Sequence, residues 1–273
     1  MRLLRLLAGE GCRIITMERA RAFAPKAGVA DSYLRQALHH LTRAGWLVRL
    51  RQGLYALAAT MPGVSGVHEF EVAMALVLGG AVSHWSALHY HGLTEQAPRK
   101  VFVLTPVDAP IPQTHRPHDR PKQGQGGIVV GGTSYQFVRV KPERFFGIQK
   151  VWIGDARVAV TDPERTLLDG LMMPHYCGDF AEVLHAFAAR GQQLDVGRII
   201  EYALRLDVAT AKRLGWVLQQ QGVEAVHLQP LLAVPVKGYR TLDPTGPRRG
   251  PCNRQWMIQE NLPGKITPRK AAS

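Results

Sequence analysis

A run of polar residues between positions 31 and 44 carries side chains well suited to contact a nucleic acid. They are long or polar enough to donate or accept hydrogen bonds, and none is acidic: Ser32, Tyr33, Arg35, Gln36, His39, His40 and Arg43. Such side chains reach base edges and phosphates, whereas a carboxylate would repel the phosphates. Because the N-terminal half of a recognition helix usually reads the bases, we expect the first four at bases and the last three at phosphates.

Two further arginines, Arg49 and Arg51, lie beside a tight turn that contains Gly53. A basic hairpin tip of this kind contacts the phosphate backbone or enters the minor groove. Three more cations, at Arg19, Arg21 and Lys26, precede the polar run and are expected near the phosphates.

The polar run must be a helix for its side chains to face one groove together. Apolar residues recur there at spacings of three and four, which predicts an amphipathic helix. These are Leu34, Ala37, Leu38, Leu41 and Ala44. Asp31 is the residue predicted to cap the start of this helix, and Gly45 follows its end.

The elements around this helix complete a recognised order. Residues 1–8 are predicted to form a helix, and a second helix is capped by Thr16 and stopped by Pro25. Two strands, 46–50 and 54–57, follow the third helix and form a hairpin. The pattern predicts a winged helix-turn-helix DNA-binding domain over residues 1–60. The competing interpretation is a small helical domain with a solvated face, but such faces usually mix both signs of charge.

The distribution of charge also indicates a polyanionic partner. The chain has 273 residues and a formal net charge of +13. Residues 1–60 contribute +7, residues 61–236 contribute zero and residues 237–273 contribute +6. A basic terminal domain attached to a neutral body is typical of proteins that bind nucleic acid.

The rest of the chain is predicted to alternate strands and helices. We divide it into a linker and connecting helix (61–82), a C-terminal domain (83–262) and a flexible basic tail (263–273). Within the C-terminal domain, helices are predicted at 83–91, 162–171, 179–190, 195–206 and 209–221, and strands at 100–105, 128–130, 135–140, 151–153, 158–160 and 256–258. Residues 106–127, which are rich in Pro, Gln and Gly, are predicted to be a surface loop. The fold class is therefore α+β, with a winged helix-turn-helix domain followed by a mixed α/β domain.

Three cysteines lie far apart in the chain, at Cys12, Cys177 and Cys252. Their number and spacing fit neither a disulfide framework nor a zinc site, and they are typical of a reducing cytoplasm. No apolar run approaches the roughly 18 residues of a membrane span. We therefore expect a cytoplasmic protein without a membrane partner.

The histidines could in principle bind a metal ion, and the carboxylates could act in catalysis. His84, His89 and His91 do not have ligand spacing on one helix face, and His115 and His118 lack partners, so no metal site is predicted. Structural roles account for the acids near residue 165. Asp162 caps a helix that begins with Pro163, and Glu164 lies in its first turn. Arg165 and Asp169 are predicted to pair on the helix surface. No glycine-rich phosphate loop is present, so we predict no catalytic residue and no cofactor.

Several segments together resemble the AbiEi family. They are residues 51–57 (RQGLYAL), 83–88 (SHWSAL), 91–94 (HGLT), 160–169 (VTDPERTLLD) and 254–256 (RQW), together with Asn261. AbiEi proteins are antitoxins of type IV toxin–antitoxin pairs. The resemblance implies a winged helix that represses the operon promoter and a C-terminal domain that counters a nucleotidyltransferase toxin without a stable complex. The Pro- and His-rich loop at 106–127 departs from the family pattern.

Three functional hypotheses follow. The first is a DNA-binding antitoxin that represses its own operon at inverted repeats of double-stranded DNA, as a dimer or as two cooperating monomers. The second is a nucleic-acid-processing enzyme that is docked by the winged helix, and the third is a plain transcriptional regulator. An enzyme should show a cluster of acids that capping and pairing do not explain. Since we find none, the first hypothesis is favoured.

Overall fold

The computed structural model describes residues 2–59, 66–111 and 127–262. The chain forms two compact units, and it passes between them several times. Unit 1 comprises Met1–Gly80, Arg99–Arg139 and Val151–Val158. Unit 2 comprises Ala81–Pro98, Val140–Lys150 and Ala159–Ser273. The predicted α+β fold is confirmed, whereas the domain boundaries predicted near residues 60 and 82 stay predictions.

The first 58 residues form the predicted winged helix-turn-helix arrangement. Its elements are α1 (Arg2–Gly9), β1 (Ile14–Thr16), α2 (Met17–Phe23), α3 (Asp31–Arg43), β2 (Leu47–Arg51) and β3 (Leu54–Leu57). β3 is the central strand and pairs antiparallel with both neighbours, with Ala56 opposite Ile14 on one side and Val48 on the other. β1 was not predicted, because three residues are too few to show the alternation of a strand.

The starts of α2 and α3 show how local side chains set helix boundaries. The Thr16 hydroxyl accepts a hydrogen bond from the backbone N–H of Arg19 at 3.1 Å, as predicted for an N-cap. The prediction for Asp31 was wrong, since Ala30 is the N-cap and Asp31 is the first helical residue. Its carboxylate instead accepts a hydrogen bond from Arg21 Nε at 2.7 Å, near the positive end of the α3 dipole.

The remaining elements follow in chain order. They are α4 (Glu69–Leu76), β4 (Ala81–Val82), α5 (His84–Tyr90), β5 (Lys100–Pro106), β6 (Gly127–Val130), β7 (Thr133–Val140), β8 (Ile148–Ile153), β9 (Ala156–Thr161), α6 (Pro163–Met172), α7 (Phe180–Arg190), α8 (Val196–Leu206), α9 (Val208–Gln220), α10 (Ala225–Ala233), β10 (Arg240–Thr241), β11 (Cys252–Asn253) and β12 (Ile258–Gln259). Most of these were predicted within a few residues, but α10 and the two-residue strands β4, β10 and β11 were missed.

Strand neighbours are found within each unit. β6, β7 and β5 are neighbours in that order, and β6 pairs antiparallel with β7 so that Ile128 lies opposite Tyr135. β4 pairs in parallel with β9, and β8 is the next neighbour of β9. β12 lies between β10, which is parallel to it, and β11, which is antiparallel.

One predicted strand is shifted along the chain, and three other predicted segments fall wholly or partly outside the described residues. The strand predicted at 256–258 is shifted, because Trp256 and Met257 lie in a turn and β12 begins only at Ile258. Met257 has a left-handed φ of 53°, which does not fit a strand. The described residues exclude residues 61–65 of the predicted linker, residues 112–126 of the predicted loop and the predicted tail at 263–273.

Each unit has its own apolar core. In the winged region, leucines from α1, α3 and the wing strands are buried together: Leu3, Leu4, Leu7, Leu34, Leu38, Leu47 and Leu57. In unit 2, α6 packs against α7, α8 and α9 through Leu167, Leu168, Leu171, Phe187 and Leu214. The first core holds α3 on the wing strands, and the second surrounds the segment of α6 that carries Glu164, Arg165 and Asp169 with apolar side chains.

Candidate nucleic-acid interface

The two faces of α3 have opposite surroundings. Leu34 and Leu38 are buried, with 1% and 0% of their surface exposed. All seven polar residues assigned to this helix are exposed: Ser32, Tyr33, Arg35, Gln36, His39, His40 and Arg43. Burial of the leucine stripe thus turns the polar stripe toward solvent, as the 3.6-residue period requires. Their assignment as DNA contacts stays a prediction.

The exposed face of α3 has one acid at its edge, and that acid is paired. Asp31 forms an exposed ion pair with Arg21 of α2 at 2.7 Å. Arg21 offsets the negative charge of Asp31 at the helix start, but the pair also occupies Arg21, which was expected near the phosphates. Within α3 itself, the two arginines are Arg35 and Arg43, and both are exposed.

The wing presents Arg49 and Arg51 beside its turn, and both side chains are exposed. Arg49 lies opposite Tyr55 and Arg51 lies opposite Leu54, with an irregularity in the register between them. Gly53 has a left-handed φ of 73°, which a side-chain-bearing residue rarely adopts. Its carbonyl accepts a hydrogen bond from Met17 N at 2.9 Å, and this bond ties the wing tip to the start of α2.

The turn between α3 and the wing fixes how these two basic elements meet. Trp46 N donates to Leu41 O at 3.0 Å, and Ala58 N donates to Trp46 O at 3.1 Å. Gly45, with a φ of 76°, supplies the left-handed residue that ends the helix. The exposed cations of α3 and of β2 are therefore carried by one hydrogen-bonded unit.

The cations before α3 are engaged to different degrees. Lys26 lies 5.2 Å above the ring of Phe23, and Arg19 Nε contacts Cys12 Sγ at 3.3 Å. Sequence reasoning missed the role of Arg13, which forms an ion pair with Glu71 of α4 at 3.1 Å. Both partners are only 17% exposed, so this arginine joins the winged region to the rest of unit 1. Its pairing depends on a residue 58 positions away, and no local pattern reveals it.

The alternative candidates for chemistry are three carboxylates of unit 2, those of Asp162, Glu164 and Asp169, and each has a structural partner. Asp162 Oδ1 accepts the N–H of Arg165 at 2.8 Å, and its Oδ2 accepts the hydroxyl of Tyr202 at 3.0 Å. Burial raises the pKa of Asp162 above its ordinary value. Glu164 accepts the N–H of Asp195 at 3.2 Å and lies 3.4 Å from Arg190 Nη2.

The Arg165–Asp169 pair was predicted on the helix surface, and this was wrong. Both side chains are fully buried, and Arg165 Nε donates to Asp169 Oδ1 at 2.9 Å. Arg165 Nη1 also donates to the carbonyls of Arg144 and Phe146, at 2.6 and 3.2 Å. Its guanidinium lies 4.8 Å from the Phe146 ring. The pair thus fastens the chain before β8 onto α6.

The histidines of α5 do not converge on a common point. His84 is fully buried, and its Nδ1 lies 2.8 Å from the Ser83 hydroxyl. Burial lowers the pKa of His84 to about 4. His91 Nε2 lies 2.7 Å from the carbonyl of Thr161, whereas His89 is exposed. Among the described residues no three His, Cys, Asp or Glu side chains are grouped as metal ligands. His115 and His118 lie outside the described part of the chain.

Comparison with known proteins agrees with the geometry of the N-terminal region. Residues 1–58 match the family model described as "Transcriptional regulator, AbiEi antitoxin". The resemblance to the AbiEi family is thereby confirmed for this region, which holds α3 and the wing. No curated protein matches the chain.

A solved structure extends the comparison to most of the chain. The crystal structure of the RV2827C protein from Mycobacterium tuberculosis superposes with a TM-score of 0.66 and 16% sequence identity. The alignment covers 94% of this chain and 89% of that chain. At this identity the likeness shows a shared fold. Within the described residues, no helix is both long and apolar enough to cross a membrane.

Proposed function

We propose that this protein is the DNA-binding antitoxin of a type IV toxin–antitoxin pair and represses its own operon. The observation that carries the proposal is the exposed polar face of α3 beside the basic wing, on which the one acid, Asp31, is paired with Arg21. It supports duplex binding because a major groove accepts one helix and because phosphates on both sides attract the flanking cations. The family match of residues 1–58 supports the regulatory role.

The contacts divide into base readout and backbone positioning. Arg35 and Gln36 lie in the first half of α3 and have the reach to make bidentate contacts, Arg to guanine and Gln to adenine. His39, His40 and Arg43 follow toward the end of the helix and suit phosphates. Arg49 and Arg51 on the wing would hold the adjacent backbone or minor groove.

The second part of the proposal concerns the toxin. By analogy with the AbiEi family, the remainder of the chain counters a nucleotidyltransferase toxin without forming a stable complex. The contacts of Asp162, Glu164 and Asp169 support a role that is not enzymatic, because each carboxylate already accepts a hydrogen bond from a neighbouring structural group. The free thiols of Cys12, Cys177 and Cys252 are compatible with a reducing cytoplasm.

The operator is proposed to contain inverted half-sites. Two copies of the winged region, in a dimer or as cooperating monomers, would read the two half-sites in the same way. The centres of the half-sites would then be about 34–36 Å apart, or a multiple of that distance, because successive major grooves repeat once per helical turn.

The proposal is tested with the full chain and the duplex upstream of its gene. Deleting residues 1–60 is unsuitable, because Arg13 and the wing strands pack on other parts of unit 1. The test variant is Arg35→Ala/Arg51→Ala, and the matched control is Arg2→Ala/Arg5→Ala, whose residues are exposed on α1. Binding is measured by gel mobility shift at two salt concentrations.

We expect tight, salt-sensitive binding by the wild type and by the control, and loss of the shift in the test variant. A promoter reporter should be repressed by the first two proteins only. If the wild type shows no preference for the upstream duplex over an unrelated duplex, the proposed operator function is wrong. The toxin role is measured separately, as survival of cells that express the neighbouring toxin gene with each variant.

A further inference from the structure

The small sheet formed by β10, β11 and β12 carries a second concentration of positive charge. Five cations on or beside this sheet are exposed: Lys237, Arg240, Arg248, Arg249 and Arg254. Arg240 lies in β10 and Arg254 directly follows β11, with β12 between these two strands. Two strand spacings separate their backbones by about 10 Å. This distance is close to the Debye length of roughly 8 Å, so salt only partly screens the electrostatic field of one arginine at the other.

The connection that carries Arg248 and Arg249 is anchored on both sides. Glu260 N donates to Pro251 O at 2.8 Å, and the Asn261 side chain bonds the backbone of Asp243 twice at 2.9 Å. A Cβ atom on Gly250 would clash with the Glu260 carbonyl, so this part of the connection packs closely against the strand end. The two arginines are therefore presented from a fixed backbone.

The acids of this region are occupied by hydrogen bonds. The Asp243 carboxylate accepts from the N–H and the hydroxyl of Thr245 at 2.8 and 2.6 Å. Glu260 accepts from the indole N–H of Trp216 at 2.7 Å and from Asn253 at 3.1 Å. Within the described residues, none of the five cations has an ion-pair partner. Their charge is consequently available to a phosphate-rich ligand.

An exposed aromatic ring accompanies these cations. Tyr239 is 43% exposed and lies in sequence between Lys237 and Arg240. An exposed ring offers a surface for an unstacked base, whereas the bases of a duplex are already stacked on one another. A basic surface with such a ring suits a single strand better than a duplex.

We propose that the surface of Lys237, Tyr239, Arg240, Arg248, Arg249 and Arg254, here called the C-terminal basic surface, binds single-stranded nucleic acid. The cations contact the phosphates and Tyr239 stacks on a base. This activity goes beyond the proposed repression of an operon, which uses α3 and the wing on duplex DNA.

The test measures fluorescence anisotropy of a labelled 20-nucleotide thymidine strand with the full chain. The background is Arg35→Ala/Arg51→Ala, which removes the cations proposed for duplex binding. The test variant adds Arg240→Gln/Arg248→Gln/Arg249→Gln/Arg254→Gln. The matched control instead adds Arg99→Gln/Lys141→Gln/Lys150→Gln/Arg157→Gln, four exposed residues with the same total charge loss. Circular dichroism and thermal unfolding verify that each variant is folded.

We expect the background protein to bind the strand and the control to keep its affinity within about twofold. The test variant should lose at least tenfold, and the slope of log K against log salt should fall by about 3 for four lost phosphate contacts. A Tyr239→Ala variant should lose about fivefold or more, since stacking on one base is being removed.

Three results would overturn the proposal: no strand binding by the background protein, an equal loss in the control, or tighter binding to a 20-base-pair duplex than to the strand. If the background protein does not bind the strand, the alternative partner of the C-terminal basic surface is an acidic protein. The outcome is independent of operator binding, because operator binding is measured with the wild-type wing on the upstream duplex.

Discussion

We propose Arg35 as the residue of α3 on which base recognition most depends. It is exposed in the first half of the helix, at the side of the stripe formed by the buried Leu34 and Leu38. A guanidinium can donate two hydrogen bonds to one guanine, which no other residue of this helix except Arg43 can do. Arg43 lies two turns further along, where phosphates are the expected partners.

Arg35→Ala should weaken binding to the operator by about 1–3 kcal/mol, which is about 5- to 150-fold in Kd. The loss should disappear on an operator that already carries the wrong base pair at the contacted position, because the lost contact is specific to that base pair. Arg5→Ala is the control and should bind normally. Titration of labelled operators by anisotropy measures both effects. An unchanged affinity of Arg35→Ala would contradict the assignment.

Asp169 affects the stability of the fold, because its buried charge pairs with Arg165. Asp169→Asn would leave Arg165 without its ionic partner in an apolar core, and removing one member of such a pair typically costs about 3–5 kcal/mol of stability. Glu201→Gln, at an exposed position of α8, should stay within about 0.5 kcal/mol. Urea unfolding of the full chain measures both. A loss below about 1 kcal/mol for Asp169→Asn would mean that the pair contributes little.

At the scale of elements, α9 and the small sheet of β10, β11 and β12 pack together without room for an additional atom. The ring of Trp256 is fully buried and covers Gly215 of α9 so closely that a Cβ atom there would clash with three ring carbons. The Trp256 indole N–H also donates to the Gln219 side chain one turn further along α9. The position of the sheet therefore depends on a glycine inside a helix.

Gly215→Ala should destabilise this contact although alanine favours helix formation, because the ring of Trp256 must move. We expect a loss of about 1–3 kcal/mol in urea unfolding and a changed tryptophan fluorescence. Gly197→Ala in α8 is the matched control, since its Cβ meets only Asp195 Oδ1 at 3.6 Å. It should be neutral or gain up to about 1 kcal/mol. Equal behaviour of the two variants would show that the sheet adapts easily.

At the scale of the whole molecule, buried histidines make stability depend on pH. Burial lowers the pKa of His84 from an ordinary 6.5 to about 4, with nearby Asp169 opposing the shift and Arg165 and His175 adding to it. Between these values the unfolded chain binds the proton and the folded chain does not, so stability rises with pH. Burial also lowers the pKa of His91, which adds to the effect, whereas the raised pKa of Asp162 opposes it.

Above pH 6.5 the burial of His84 does not reduce the free energy of unfolding. As the pH decreases to 4, this burial should lower the free energy of unfolding by about 3 kcal/mol. The urea midpoint measured at several pH values tests this. His84→Asn is suitable because its backbone has a φ of 50°, which Asn tolerates, and because Asn does not titrate. This variant should be less stable at pH 7 and show a flatter pH dependence, while exposed His185→Gln should keep the wild-type slope. A wild-type midpoint that is constant from pH 4 to 6.5 would contradict the shift.

Local patterns were enough to predict the winged helix-turn-helix arrangement of the first 58 residues. The leucine period of α3, the Thr16 cap, the hairpin turn at Gly53 and the Asp162–Pro163 helix start all involve residues within a few positions of each other. These features depend on backbone geometry and on nearby hydrogen bonds, which are encoded in short segments. The helix-turn-helix order, the exposed cations and the resemblance of residues 1–58 could therefore be recognised from the sequence.

The tertiary structure decided which polar groups are buried and what they contact. The i, i+4 spacing of Arg165 and Asp169 is the same for a surface pair and for a buried one, and only the packing of α7, α8 and α9 around α6 distinguishes them. Likewise, the Arg13–Glu71 pair and the small sheet that presents Arg240 and Arg254 join residues distant in sequence. Such contacts depend on which surfaces the folded chain brings together, because burial and charge pairing are properties of neighbours in space.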